Sequence, residues 1–230
     1  LWLLFDTGAG ATYIDPDSIE RTTGRRFAKD QRVNIRNATT GGFEHDPIRI
    51  RFQEFDHFSR ILGRHVDGIM GFTVFKHKLL TLDYSKNQIQ LNSGQLPPPD
   101  DETVFDADGP DYRPWISVKF PDRSELMLID SGAARFSLVV RQLESFQTQL
   151  PPRLADSATR MRDIELRLAA RSSANAHIGP HILATPTLLS TSGTQLLGGQ
   201  VMQNFIWTFD QSTKRVRLVR HGHDSPIVFE

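Results

Sequence analysis

Apolar residues in this chain fall mostly in short, strand-like runs. Alternation is plainest at Ile89 and Leu91, and again at Val216 and Leu218, as suits strands with one buried face. Only two short helices are predicted. One starts at Asp15-Pro16-Asp17, where a capping carboxylate and an early proline mark a helix N-terminus, and stops near Gly24; the other covers roughly Arg141 to Gln149, before Pro151-Pro152. Asp15 and Asp17 are accordingly read as helix start signals and not as a catalytic or calcium pair.

The pattern also repeats. Gly71 to Leu91 aligns without a gap on Gly198 to Leu218 at a constant offset of 127, with Gly71, Val74, Thr81, Asp83, Ser85 and Leu91 recurring as Gly198, Val201, Thr208, Asp210, Ser212 and Leu218. Each block opens on an apolar pair and a glycine, Ile69-Met70-Gly71 and Leu196-Leu197-Gly198, and continues as two strands around the polar turns SKN and STK. A second repeat lies upstream: FDTGAGATYI at Phe5 to Ile14 has a cousin, IDSGAARFSLV, at Ile129 to Val139, 124 residues on. Leu1 to Phe5 then falls opposite Glu125 to Ile129, so LWLLF is read as a strand and not as the tail of a signal peptide.

Two similar halves follow, 1–96 and 111–230, joined at 97–110 by a stretch with PPPDDE and a Gly-Pro pair, a composition expected of a linker. The second half has a hairpin before its motif, WISVKF-PDRS-ELMLID, without a counterpart in the first, so the first half is expected to lack its opening hairpin in the given chain.

Composition narrows the function classes. With 38% hydrophobic residues the chain can bury a sizeable core. Lys plus Arg number 27 and Asp plus Glu number 27, so zero formal net charge argues against nucleic acid as a partner. No apolar run approaches the roughly 18 to 20 residues of a membrane span. Without cysteine there are no disulfides or thiolate metal sites, and the histidines at 177, 181, 221 and 223 lack the accompanying ligand motif, so no metal and no cofactor is expected. No Gly-x-Ser-x-Gly elbow surrounds Ser131, which argues against a serine nucleophile. Asp83 and Asp210 adjoin turns and are expected to bond backbone amides there.

The remaining chemistry is in the doubled loop. An apolar strand ending in Asp-Thr-Gly or Asp-Ser-Gly holds a carboxylate at its end, turns at glycine, and sets a short hydroxyl against neighbouring backbone. Two such loops related by a pseudo-twofold axis can bring their carboxylates together to share one proton, an arrangement suited to general acid–base hydrolysis.

FDTGAGATYI and LIDSGAARFSLV, each followed roughly 65 residues later by IMG or LLG and a hairpin, resemble the aspartic peptidases, in particular the single-chain retropepsin-like group of bacteria. The resemblance implies an all-β, bilobal acid-protease fold of two β-barrel-like lobes with short helices, the cleft lying between lobes 1–96 and 111–230. It implies Asp6 and Asp130 as the catalytic pair, Thr7 and Ser131 as bracing hydroxyls, and Gly8 and Gly132 as the turn residues. A flap is expected over Val33 to Phe52, with Thr40, Gly41, Gly42 and Phe43 at or near its tip. None of Tyr13, Tyr84 and Tyr112 falls in that segment, so the pepsin-type flap tyrosine is missing. The stretch from Leu154 to Thr191 leaves two alternatives open, a flap-like hairpin around Arg171 to Asn175 or an irregular insertion.

The implied activity is that of an endopeptidase acting on a polypeptide substrate, for which one monomer suffices and an exported or periplasmic location is expected. The alternative is an inactive, protease-like module that binds extended peptides by strand addition. Glycosidases also use two carboxylates, but no aromatic sugar platform accompanies these.

Overall fold

In a computed structural model, the residues described are all except Gly41, Asp46, Met161, Arg162, His223, Asp224 and Glu230, with side chains left aside at Thr40, 156–160 and 163–165. The fold is all-β with a few short helices. Three main sheets carry it, one from residues 3–71, one from both halves of the sequence, and one from residues 115–228.

The internal repeat appears directly in the strand order. In the first sheet, Leu3–Asp6 runs parallel to Gly68–Gly71, which is antiparallel to Thr12–Ile14; that strand is parallel to Ile48–Phe52, which is antiparallel to Arg32–Ile35. In the third sheet the same sequence of relations links Ser124–Ile129, Leu196–Leu197, Leu138–Val140, Thr187–Ser190 and Asp163–Arg171. Both copies place an Asp motif at the end of one strand, with the strand of the apolar-Gly element beside it.

The middle sheet joins the copies. Leu79–Asp83 pairs antiparallel with Phe205–Asp210, and Thr81 lies opposite Thr208 with their hydroxyls 2.9 Å apart. These two threonines are each other's repeat equivalents, so a local twofold axis passes between them. Asp83 and Asp210 close the hairpin turns as expected: Asp83 Oδ1 accepts from Ser85 Oγ and the Lys86 N–H, and Asp210 Oδ1 from the Ser212 and Thr213 N–H groups. Asp210 Oδ2 also accepts the buried Leu96 N–H at 2.9 Å, tying the end of the first half into the second.

One large core lies between the second and third sheets and draws on both halves, with Phe72, Leu80 and Leu82 packed in the same cluster as Trp207, Phe209 and Leu218. Two smaller cores support the first sheet. The stretch expected to be a linker takes part in this architecture: Val104–Asp106 pairs with Arg215–Arg220, and Val104, Phe105 and Ala107 are buried. Within it, Asp100 organises the turn by accepting the N–H groups of Glu102, Thr103 and Val104.

The first predicted helix is present as Pro16–Thr23. Asp15 caps it through the N–H groups of Asp17 and Ser18, and Gly24 ends it at φ 69°, the left-handed conformation glycine accepts without penalty. The second predicted helix reduces to a 3-10 turn at Leu143–Ser145. Strand-type bonds take over on its C-terminal side: Ser173 N–H donates to Gln147 O, and Gln149 N–H to Arg171 O. A helix at Asp56–Leu62, stopped by Gly63 at φ 63°, is not among the predicted ones; Phe58, Ile61 and Leu62 stand at helical spacing, but the element is only two turns long and fully buries none of its residues.

The ambiguous second-half stretch holds two hairpins. Arg153–Arg160 pairs with Asp163–Arg171, and Ala176–Ile178 with His181–Ala184. The last pair of the long hairpin is Arg160 with Asp163, so it does not turn around Arg171 to Asn175, where the chain instead passes between hairpins. Trp115–Lys119 and Ser124–Ile129 form the hairpin expected before the second motif.

Candidate active site

Each Asp motif sits where a strand leaves its sheet. Behind Asp6, Ala9 N–H returns to Asp6 O at 3.2 Å and Phe72 N–H donates to Ala9 O at 3.0 Å; behind Asp130, Ala133 N–H returns to Asp130 O at 3.2 Å and Gly199 N–H donates to Ala133 O at 3.0 Å. The apolar-Gly elements therefore lie directly beneath the loops. Gly71 and Gly198 must be glycine for space: a Cβ on either would strike backbone of the loop above, at Ala9 and Ala11 or at Ala133 and Phe136.

The loops are locked together by their hydroxyls. Thr7, fully buried, donates through Oγ1 to Ile129 O at 2.7 Å and accepts the Ser131 N–H at 2.9 Å. Reciprocally, Ser131 Oγ accepts the Thr7 N–H at 3.0 Å and donates to Phe5 O at 3.3 Å. Each hydroxyl both gives and receives across the twofold, so neither loop can shift without breaking bonds to the other.

This brace brings the two carboxyls face to face, within hydrogen-bonding reach of one another. Asp6 Oδ1 accepts the Gly8 N–H at 2.7 Å, and Asp130 Oδ1 accepts the Gly132 N–H at 2.9 Å. The exchange is also steric. A Cβ on Gly8 would lie 2.5 Å from the Asp130 carboxyl carbon, and one on Gly132 would lie 2.8 Å from that of Asp6. Each glycine thus makes room for the opposite carboxylate.

Both carboxyls are held above the ordinary aspartate range. Burial is the largest cause for each, and for Asp130 the charge of Asp6 adds to it. Backbone N–H groups pull in the other direction, those of Gly8 and Ala9 at Asp6 and of Gly132 and Ala133 at Asp130. Two like charges this close in a poorly solvated site disfavour double ionisation, so the pair titrates as a unit, with one proton retained after the first is lost. Tyr84, beneath the loops, feels the same field: burial and then the Asp130 charge push its phenol up to about 12.

The candidate flap forms a hairpin. Arg32–Ile35 pairs with Ile48–Phe52, and an inner pair, Thr39–Thr40 with Phe43–Glu44, extends it. Gly42 turns at φ 84°, Phe43 is exposed, and Gly41 lies outside the described residues. Aromatic contacts lead from just below its tip to the dyad: the His45 ring meets Phe75 edge-on at 5.4 Å, and Phe75 meets Phe5, the neighbour of Asp6, at 5.5 Å.

Sequence reasoning missed a strap from the second half. Arg113, oriented by Asp111 through a 2.6 Å ion pair, donates to Gly8 O at 2.9 Å, and Tyr112 OH donates to Gly10 O at 2.9 Å. No motif marks these residues; only their position shortly before the second hairpin could have suggested a role. Of the histidines, His181 packs edge-on against Phe205 at 4.9 Å, and among the described residues no three His, Asp or Glu side chains are placed to hold a metal ion. His223 lies outside the described residues. No helix among the described residues is long and apolar enough to cross a membrane.

No protein-family model and no curated protein matches the chain.

Proposed function

We propose that the chain is an aspartic-type endopeptidase in which Asp6 and Asp130 are the catalytic pair of a bilobal acid-protease fold. The observation that carries this reading is the reciprocal seating of the two carboxyls, each against the other loop's glycine and within hydrogen-bonding reach of its partner. Support also comes from the twofold register at Thr81 and Thr208 and from the hairpin of residues 32–52 packed toward Phe5.

In this reading the singly protonated pair divides the work of hydrolysis. The ionised carboxylate accepts a proton from water as its oxygen attacks the peptide carbonyl carbon, and the protonated partner donates to the carbonyl oxygen. The tetrahedral diol then collapses as its C–N bond breaks, with a proton passing to the leaving amine, and no bond forms between chain and substrate. Thr7 and Ser131 hold the pair in position without touching the reacting atoms. Because one chain supplies both aspartates, a monomer suffices.

The test is cleavage of a diverse peptide library from about pH 3 to about pH 7 by the native chain, Asp6→Asn and Asp130→Asn. Cleavage by the native chain alone is expected. Unchanged cleavage in either variant would remove the dyad, and peptide binding without cleavage by the native chain would favour a binding module instead.

A further inference from the structure

On the 32–52 hairpin, the register sets Arg32 opposite Arg51 and Asn34 opposite Arg49, and residues two apart on a strand share a face. Three guanidinium groups therefore crowd one face of the hairpin. Like charges directly opposite one another destabilise a sheet, so folding alone gives no reason for this arrangement. Among the described residues none of the three makes a side-chain hydrogen bond or ion pair, which leaves their donors available.

That face forms one wall of a cavity of about 380 Å³, with Gly10 and Ala11 among its other lining residues and Tyr112 closing it from the second half. None of the described lining residues is acidic. Gly10 follows Asp6 by four residues, so the cavity begins no more than about 14 Å along the chain from the dyad, a distance spanned by about four residues of an extended substrate. A concave cationic site beside the dyad, on a chain with zero formal net charge, fits a single carboxylate better than a nucleic-acid backbone, which calls for a long basic surface.

We propose that this cavity is a charge-selective subsite that receives an Asp or Glu side chain of the polypeptide substrate, within about four residues of the bond that is cut. Arg49 and Arg51 are its principal anchors, with Arg32 across the strand pair adding to the field. The inference rests on the peptidase reading for its substrate class, but its binding test does not require catalysis.

The probe is a neutral, extended peptide of Ala, Val, Phe and Gln, with Glu replacing one Gln at a time. Binding is measured by fluorescence anisotropy in the Asp6→Asn chain. Glu at one position is expected to tighten Kd on the order of tenfold at low salt, and less at high salt, as several partly exposed ion pairs would give. Adding Arg49→Gln and Arg51→Gln should abolish that gain, while Arg49→Lys and Arg51→Lys should keep part of it. Tm should not fall in Arg51→Gln, since the change relieves repulsion from Arg32, and this separates lost recognition from lost folding. Absence of a Glu preference, a preference that survives both glutamine substitutions, or no peptide binding at all would overturn the subsite. Selective binding without cleavage by the native chain would overturn the peptidase reading and leave the subsite standing; cleavage indifferent to Glu would do the reverse.

Discussion

Gly8→Ala adds a single methyl group at the place where the two halves of the site interlock. Gly8 does not occupy the left-handed region, so alanine can adopt its backbone and the consequence is purely steric. The new Cβ would stand 2.5 Å from Cγ and 2.6 and 2.7 Å from the oxygens of Asp130. Ordinary contact begins near 3.4 Å, so the carboxyl or its loop must retreat by roughly 0.5 to 1 Å, and misplacement by about 1 Å costs on the order of a hundredfold in rate. The hydroxyl brace resists a shared movement of both loops, so relief comes through tilting Asp130 away from Asp6. The expected result is kcat/KM on a cleaved peptide down by about thirty- to a hundredfold, with stability reduced by about 1–3 kcal/mol, the usual cost of overpacking. Steady-state kinetics beside a denaturant titration measures both. An alanine variant with native kcat/KM would mean that the Asp130 carboxyl does not rest against Gly8, and the paired-loop geometry would fall with it.

Asp130→Asn should raise Tm at neutral pH even as it removes cleavage. The folded chain holds the Asp130 proton to a higher pH than the unfolded chain does, so stability falls as pH rises above the ordinary carboxylate range; the variant escapes that loss and should keep no advantage near pH 3. Thr7→Val should cost about 2–3 kcal/mol in urea unfolding, because it strands the buried Ile129 carbonyl and Ser131 N–H; Ser131→Ala should cost less, its bonds being longer. Asp67 behaves oppositely to Asp130. Burial alone would raise its carboxyl, but bonds from Ser18, the Trp2 N–H and His65 outweigh burial and hold it at about 2. Asp67→Asn should therefore destabilise at neutral pH, and the deficit should shrink as pH falls from about 4 through about 2, which thermal melts across that range would show.

The doubled loop was legible because everything it needs is local: strand, Asp, hydroxyl and glycine sit side by side, and the repeat at constant offset announced that a second copy would face the first. The turn roles of Asp83 and Asp210 and the cap at Asp15 were readable for the same reason. The misses depend on partners distant in sequence. Arg141 to Gln149 has helix-compatible residues, yet its last residues pair with Ser173 and Arg171, and sheet bonding outweighs weak helix propensity. Phe105 is buried in one cluster with Val216 and Leu218, more than a hundred residues away, a contact that the polar composition of 97–110 does not announce. Tyr112 and Arg113 reach loop carbonyls at Gly10 and Gly8, contacts between groups that no spacing rule connects. The arginine cluster required the hairpin register before Arg32 and Arg51 could be seen to face each other.

Whether Asp6 and Asp130 share one proton can be measured by carbon-13 NMR of the aspartate carboxyls, titrated in the native chain and in Asp6→Asn. The native spectrum should show one carboxyl at this site still protonated well above the ordinary range, and its midpoint should fall in Asp6→Asn as the neighbouring charge is removed, though not to the ordinary value, because burial remains. Two carboxyls that titrate independently near pH 4, unaffected by each other's replacement, would contradict the account.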